Sequence, residues 1–122
     1  MFENTKAFSG FSVDDTDAAR QFYGETLGIE VDEANGLLTL RIAGDRPTLI
    51  YPKPDHEPAA FTILNFPVDD IEAAVDELTA RGVAIEHYDG MTDEKGIMRH
   101  GGPLIAWFKD PAGNTLSVLE SS

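Results

Sequence analysis

The sequence has no cysteine and few basic residues. Without cysteine, the chain has no disulfide framework, thiolate nucleophile or thiolate metal site. Only 9 Lys and Arg oppose 22 Asp and Glu among 122 residues, and the formal net charge is −13. A surface this acidic repels phosphate backbones and anionic lipids, so we expect neither nucleic acid nor a membrane as a partner. No apolar run approaches the length of a membrane span, and the N-terminus does not resemble a signal peptide, which predicts a cytoplasmic protein.

The acidic residues are spread evenly along the chain. Residues 1–61 hold 11 acids and 5 bases, and residues 62–122 hold 11 acids and 4 bases. The excess therefore indicates either a solubilising, salt-adapted surface or a preference for cationic ligands. The length suits one compact domain, which we predict over residues 1–122.

An internal repeat is the most informative feature of the sequence. Phe11-Ser-Val-Asp-Asp returns as Phe66-Pro-Val-Asp-Asp, and Ala18-Ala19 returns as Ala73-Ala74, all with one offset of 55 residues. A period this long indicates a duplicated half-domain and not a solenoid. We expect two modules, over about residues 5–52 and 60–120.

Each module begins with an alternating strand, followed by a helix and three more strands. The pairs Asp14-Asp15 and Asp69-Asp70 are candidate helix N-caps, and Gly28 and Gly82 end the helices. Apolar patterns predict the later strands at Ile29–Ala34, Leu37–Ala43, Thr48–Tyr51, Val83–His87, Leu104–Lys109 and Asn114–Leu119. Turns are predicted at Asn35-Gly36, Gly44-Asp45 and Asp110–Asn114. The order is βαβββ twice, an α+β fold; Tyr88–Pro103 has no periodicity, so we expect a lid or a mobile loop there.

One face of each sheet is expected to pack against its helix, which leaves the other face for a cleft or a partner. The residues predicted on that second face are Phe8, Gly10, Ser12, Ile63, Asn65 and Ser117. A mixture of apolar side chains with a few polar ones suits a small-molecule pocket. The alternative is a packed face that a second subunit covers.

The order and spacing of several short motifs resemble the vicinal oxygen chelate superfamily, also called the glyoxalase/bleomycin-resistance/dioxygenase superfamily. The motifs are Val13-Asp-Asp, Phe22-Tyr23, Leu27-Gly28, Val68-Asp-Asp-Ile-Glu-Ala-Ala, Asp110-Pro-Ala-Gly-Asn and Leu116-Ser-Val-Leu. The resemblance implies two βαβββ modules that form a cupped mixed sheet with helices on the outer face. It also implies a homodimer with a ligand or metal inside the cup.

The positions that hold a metal in this family carry other residue types here. The resemblance places them on Phe8, Ile63, Ser117 and Ile50, or on Tyr51 in place of Ile50 if the register slips by one. Because metals such as Zn, Ni, Mn and Fe prefer imidazole and carboxylate ligands, we predict no metal and no cofactor. The three histidines, His56, His87 and His100, lack the short spacing of a metal motif.

The resulting hypothesis is a metal-independent binding protein of the bleomycin-resistance type, with no catalytic residue and with a partly aromatic ligand that can also be cationic. The candidate ligand contacts are Phe8, Gly10, Ser12, Tyr51, Ile63, Asn65, Trp107 and Ser117. Asn65 is the most diagnostic, because asparagine is unfavourable in the middle of a strand. Two alternatives remain: an isomerase or lyase with displaced metal ligands or metal-free chemistry, and an interaction domain whose cup is filled by its own side chains.

Overall fold

The computed structural model describes residues 1–43 and 47–120. They form two compact units, the first ending at Pro58 and the second beginning at Ala59. Each unit is a four-stranded mixed sheet with one helical segment. This confirms the predicted α+β fold built from two βαβββ modules. The assignment of residues 1–122 to a single domain stays a prediction.

The first unit contains β1 to β4 and α1. Their bounds are β1 Gly10–Val13, α1 Thr16–Arg20, β2 Glu30–Ala34, β3 Leu37–Arg41 and β4 Thr48–Pro52. The strand order is β1-β4-β3-β2, with β1 parallel to β4 and the other pairs antiparallel. Positive φ angles at Asn35 (55°) and Gly36 (78°) confirm the predicted turn between β2 and β3. The turn predicted at Gly44-Asp45 lies outside the described residues.

The second unit repeats this arrangement with β5 to β8 and α2. Their bounds are β5 Thr62–Val68, α2 Ile71–Ala80, β6 Ile97–Met98, β7 Leu104–Lys109 and β8 Thr115–Glu120. The order β5-β8-β7-β6 matches that of the first unit, and β5 is parallel to β8.

The prediction of a strand at Val83–His87 is wrong. Only Ile85 pairs there, in an isolated bridge to Phe108, and the fourth strand of this sheet is β6. β6 lies inside Tyr88–Pro103, where we expected a loop. The sheet edge next to β7 is therefore completed by a two-residue strand, which is too short to show a periodicity of its own.

Side-chain caps begin both helices, as predicted. The Oδ1 atoms of Asp15 and Asp70 accept hydrogen bonds from backbone amides three residues later, each at 3.1 Å. In α2 a second acidic residue takes part, because Glu120 at the end of β8 accepts from the Ile71 amide at 2.9 Å. This bond joins the helix start to the neighbouring strand end.

The first helix differs from the prediction after Arg20. Residues Gln21–Thr26 are π-helical, and the Leu27 amide donates to the Phe22 carbonyl five residues earlier at 2.9 Å. Gly24 lies in this wider turn, and glycine is a weak former of α-helix. Gly28 (φ 73°) and Gly82 (φ 87°) follow the two helical segments, as predicted.

Each helix packs on one face of its own sheet, which buries alternate strand residues. In the first unit the buried set is Phe11, Val13, Ala19, Tyr23, Leu38, Leu40 and Ile50. In the second it is Ile71, Val75, Val83, Ile97, Ala106, Phe108, Leu116 and Val118. The opposite sheet faces carry the candidate site residues. Neither helix in the described part of the chain is long and apolar enough to cross a membrane.

Candidate functional site

The first unit presents Gly10, Ser12 and Tyr51 on the sheet face away from α1. Ser12 pairs with Tyr51, and Gly10 pairs with Leu49, across the parallel β1–β4 ladder. Residues paired in register share a face, so these four positions lie together. At Gly10 an added Cβ would lie 3.0 Å from the Leu49 carbonyl oxygen, which shows how closely β4 approaches this residue.

Ser12 contacts a histidine that the sequence analysis did not include in the site. Its Oγ lies 2.6 Å from Nδ1 of His56, and both side chains are half-buried. A turn positions the histidine, because the His56 amide donates to the Lys53 carbonyl at 2.9 Å. The two residues are 44 positions apart, and no local pattern in the sequence links them.

A cleft of about 440 Å³ opens beside this pair, lined by Ser12, Tyr51, Lys53, Asp55 and Glu57. Lys53 Nζ lies 2.7 Å from Asp55 Oδ1. This hydrogen bond raises the pKa of Lys53 and lowers the pKa of Asp55. The described lining residues of the cleft thus combine a phenol, a serine hydroxyl and two carboxylates with a single ammonium group.

The second unit brings Asn65, Ser117 and Trp107 together. Asn65 pairs with Ser117, and Ser117 pairs with Trp107, so the three lie side by side across β5, β8 and β7. The Ser117 hydroxyl is fully buried and donates to Asn65 Oδ1 at 2.5 Å. Asn65 itself is exposed. Its amide nitrogen has no partner among the described residues and so presents two N–H donors.

Trp107 is held in place from two sides. Its indole Nε1 donates to Thr62 Oγ1 at 3.2 Å. The ring of Tyr88 meets the indole edge-on, with centroids 5.7 Å apart. A fixed, half-buried indole on the same sheet face as the Asn65 amide can bind a flat apolar ligand by stacking.

Phe8 and Ile63 occupy less regular positions than predicted. Phe8 precedes β1, outside the strand, and is 60% exposed. Ile63 is half-buried at a bulge in β5, where the pairing with β8 shifts between Thr62 and Leu64. The common offset places these two residues at equivalent positions, but the bulge gives the second one a different backbone geometry.

The strand register corrects the predicted counterpart of Ser117. Gly10 and Asn65 are equivalent in the repeat, and they pair with Leu49 and Ser117 respectively. The counterpart is therefore Leu49. The prediction of Ile50 is wrong because Ile50 pairs with Phe11 and is buried on the helix side. Tyr51 lies on the predicted face, but two residues beyond this register.

The residues at the expected metal positions do not fit a metal ion. Phe8, Ile63 and Leu49 have no ligating atom, and the Ser117 hydroxyl is bonded to Asn65. Throughout residues 1–43 and 47–120, no three His, Asp or Glu side chains form a group that could hold a metal. The resemblance to the metal enzymes therefore does not extend to their ligands.

Asp93 organises the segment Tyr88–Pro103 from within, and two basic residues of the segment reach α2. Asp93 Oδ1 accepts from the Lys95 and Ile97 amides at 2.9 Å each, and Oδ2 accepts from Arg99 Nε at 2.8 Å. The hydrogen bond from the Ile97 amide, together with those from Arg99 and Lys95, lowers the pKa of Asp93. Lys95 and Arg99 also reach Glu72 on α2, at 3.3 and 3.4 Å. We expected a lid or a mobile loop over Tyr88–Pro103; the segment contains β6 and these ion pairs to α2.

Both the sequence and the fold match known proteins. The sequence profile described as "Glyoxalase/Bleomycin resistance protein/Dioxygenase superfamily" matches residues 8–118. No curated protein matches the sequence significantly.

Several solved structures share the fold. A glyoxalase family protein from Enterococcus faecalis is 24% identical, with a TM-score of 0.73 over 98% of this chain and 100% of that one. An antibiotic binding protein from a Streptomyces species is also 24% identical, with a TM-score of 0.73 over 98% of both chains. A lactoylglutathione lyase from Agrobacterium tumefaciens is 24% identical, with a TM-score of 0.63 over 97% of this chain and 95% of that one. At this identity the likeness concerns the fold alone.

Proposed function

Because the chain belongs to the glyoxalase/bleomycin resistance protein/dioxygenase superfamily, we propose that it is a metal-independent protein that binds a small, partly aromatic molecule. The Asn65–Ser117 hydrogen bond carries this proposal. It joins a buried hydroxyl to an exposed amide on a sheet face, so the amide is oriented towards whatever occupies that face. A fixed pair of N–H donors on the same sheet face as an indole recognises a carbonyl group on an aromatic ligand.

The charge of the protein favours a neutral or cationic ligand. The formal net charge is −13, and a field of this sign attracts cations and repels anions. The antibiotic binding protein among the structural neighbours is in keeping with small-molecule binding.

A homodimer forms part of the proposal. Phe2, Phe8 and Phe61 are 72%, 60% and 69% exposed, and large exposed apolar side chains are typical of interaction surfaces. Light scattering coupled to size exclusion would report the mass of the species in solution. A mass of 13.3 kDa at all protein concentrations would contradict the dimer.

A thermal-shift screen tests the binding function. The probes are aromatic natural products, cationic aromatic drugs and divalent metal salts, and we expect members of the first two classes to raise the Tm. At 100 times the Kd a ligand stabilises the folded state by about 2.7 kcal/mol. Tight binding of Zn, Ni, Mn or Fe at one ion per chain would contradict the metal-independent part and favour an isomerase or lyase with displaced ligands.

Asn65→Leu distinguishes specific binding of the ligand from nonspecific binding. It removes the amide but keeps the side-chain size, so the Tm shift by the best probe should fall while the unliganded protein stays folded. Asn4→Leu makes the same change at an exposed position before β1 and serves as the control. Equal Tm shifts in both variants would remove Asn65 from the site.

A further inference from the structure

The contact between Ser12 and His56 has the geometry of a nucleophile and its base. Ser12 Oγ and His56 Nδ1 are 2.6 Å apart, within the range required for proton transfer. With its proton on Nε2, the imidazole accepts the serine proton at Nδ1. We propose that Ser12 is an acyl-accepting nucleophile, activated by His56, towards small neutral or cationic aryl esters. This activity goes beyond ligand binding and uses only residues of the first unit.

Access and positioning support the proposal. Ser12 lines the open cleft of about 440 Å³, so a small ester reaches its hydroxyl from solvent. The backbone fixes both partners, since Ser12 lies within the β1–β4 ladder and the turn from Lys53 holds His56. A nucleophile and base that are ordered before the substrate arrives lower the entropic part of the barrier.

The other residues of the cleft determine which esters suit it. The lining residues include one positive charge, that of Lys53, which is ion-paired with Asp55. Tyr51 offers a ring against which an aryl leaving group can pack. Asp55 and Glu57 disfavour substrates that carry their own negative charge.

The proposed step is a simple acyl transfer. Ser12 Oγ forms a bond to the ester carbonyl carbon as its proton passes to His56 Nδ1. The bond from that carbon to the aryl oxygen breaks, and the leaving group departs as a phenol with that proton or as a phenolate with the proton released to water. Water, deprotonated by His56, then attacks the acyl-serine, frees the carboxylic acid and restores the hydroxyl. No metal, oxidant or cofactor takes part.

The second unit shows what is special about this pair. Ser117 also lies on a sheet face, but its hydroxyl is fully buried and meets the amide oxygen of Asn65. An amide oxygen is not a useful base at neutral pH, so that serine is not activated. Of these two serines, Ser12 is the one whose accessible hydroxyl meets a base.

4-Nitrophenyl acetate provides the test. The full chain is mixed with an excess of this ester, release of 4-nitrophenolate is followed by absorbance, and the acetylated residue is identified by mass spectrometry. Ser12 lies in the tryptic peptide 7–20, whose only other serine is Ser9. Fragment ions distinguish the two serines, and hydroxylamine removes an ester adduct but leaves acetyl-lysine intact.

We expect a burst of nitrophenolate and one acetyl group on Ser12. Ser12→Ala should abolish that adduct, and His56→Gln should slow its formation by about 100-fold, since a general base contributes about 10²–10⁴-fold. Ser9→Ala and His100→Gln are matched controls at exposed positions and should behave like wild type. Ser12→Cys provides a second nucleophile at the same position should the alanine variant fold poorly, and iodoacetamide should label it faster in the presence of His56 than in the His56→Gln background.

Several results would overturn the proposal. They are no acetyl-serine in wild type, an adduct only on Ser9 or on lysines, or an unchanged burst in His56→Gln. Ligand binding in the second unit is independent of this outcome. Asn65→Leu should lose the ligand-induced Tm shift and keep the burst, so failure of one idea is distinguishable from failure of the other.

Discussion

Replacing Gly96 by alanine tests whether the Tyr88–Pro103 segment is fixed against the second unit. Gly96 is buried with a φ of 87°, and a Cβ there would lie 2.5 Å from Ile85 Cγ2 and 2.9 Å from the Glu86 carbonyl oxygen. The left-handed backbone costs alanine about 1–2 kcal/mol, and overpacking adds about 1–3 kcal/mol. We therefore expect Gly96→Ala to lower the free energy of unfolding by about 2–5 kcal/mol.

Gly90→Ala is the matched control. Gly90 has a similar φ of 78°, but nothing lies within 4 Å of its added Cβ, so only the backbone cost of about 1–2 kcal/mol applies. Both variants can be unfolded in urea while the fluorescence of Trp107 is followed, since it is the only tryptophan and lies in this unit. An equal decrease of the unfolding free energy in the two variants would refute the packing of Gly96 against Ile85 and would favour a mobile loop.

Two further substitutions test individual hydrogen bonds. Asp93→Asn keeps an oxygen for the two backbone amides but loses the charge beside Arg99. At pH 7 we therefore expect the free energy of unfolding to fall by about 1 kcal/mol. The pKa of Asp93 is lowered in the fold, so its contribution is complete above the unfolded value of about 3.9 and is lost as the pH falls through the folded value. In urea titrations, the difference in the free energy of unfolding between wild type and Asp93→Asn should thus become smaller from pH 7 to pH 3. A difference that does not change with pH would contradict a role for the charge. Asp70→Ala should cost about 1 kcal/mol through loss of the α2 cap, and Asp70→Ser should recover most of it in unfolding followed by circular dichroism, whereas equal losses would show that the cap contributes little.

The parts of the fold that could be predicted depend on short-range signals. The Asp pairs act as helix caps, and Asn35-Gly36 forms the predicted turn, because each needs only neighbouring residues. Asp110 likewise closes the predicted turn before β8, where its Oδ1 accepts from the Ala112 and Asn114 amides at 3.0 and 2.8 Å. The repeat then assigns the same strand order to both units.

The errors arise where pairing across the sheet decides the structure. The alternation at Val83–His87 is that of a strand, but only Ile85 finds a partner, because β6 occupies the edge beside β7. Two residues cannot show a period, so β6 leaves no local signal. The counterpart of Ser117 was misplaced by one residue for a related reason, since the register of β1 on β4 fixes it and the local sequence does not.

The same difference between short-range and long-range signals applies to the side chains of the candidate site. The prediction that Asn65 and Ser117 share a face needed only the alternation of two strands and is confirmed by their pairing. The contact between Ser12 and His56 joins a strand to a proline-rich segment 44 residues away, so it depends on how that segment turns after β4. A histidine without motif spacing therefore became a neighbour of a predicted site residue without any sequence pattern that marked it.

The two units show that a repeated backbone does not imply a repeated chemistry. By the offset of 55, Ser12 corresponds to Pro67 and Asn65 to Gly10, so neither polar pair has an equivalent in the other unit. One unit sets a hydroxyl against an imidazole, and the other sets a hydroxyl against an amide. The first arrangement can move a proton, whereas the second can only orient a donor. We therefore propose separate uses for the two sheet faces, ligand binding in the second unit and acyl transfer in the first.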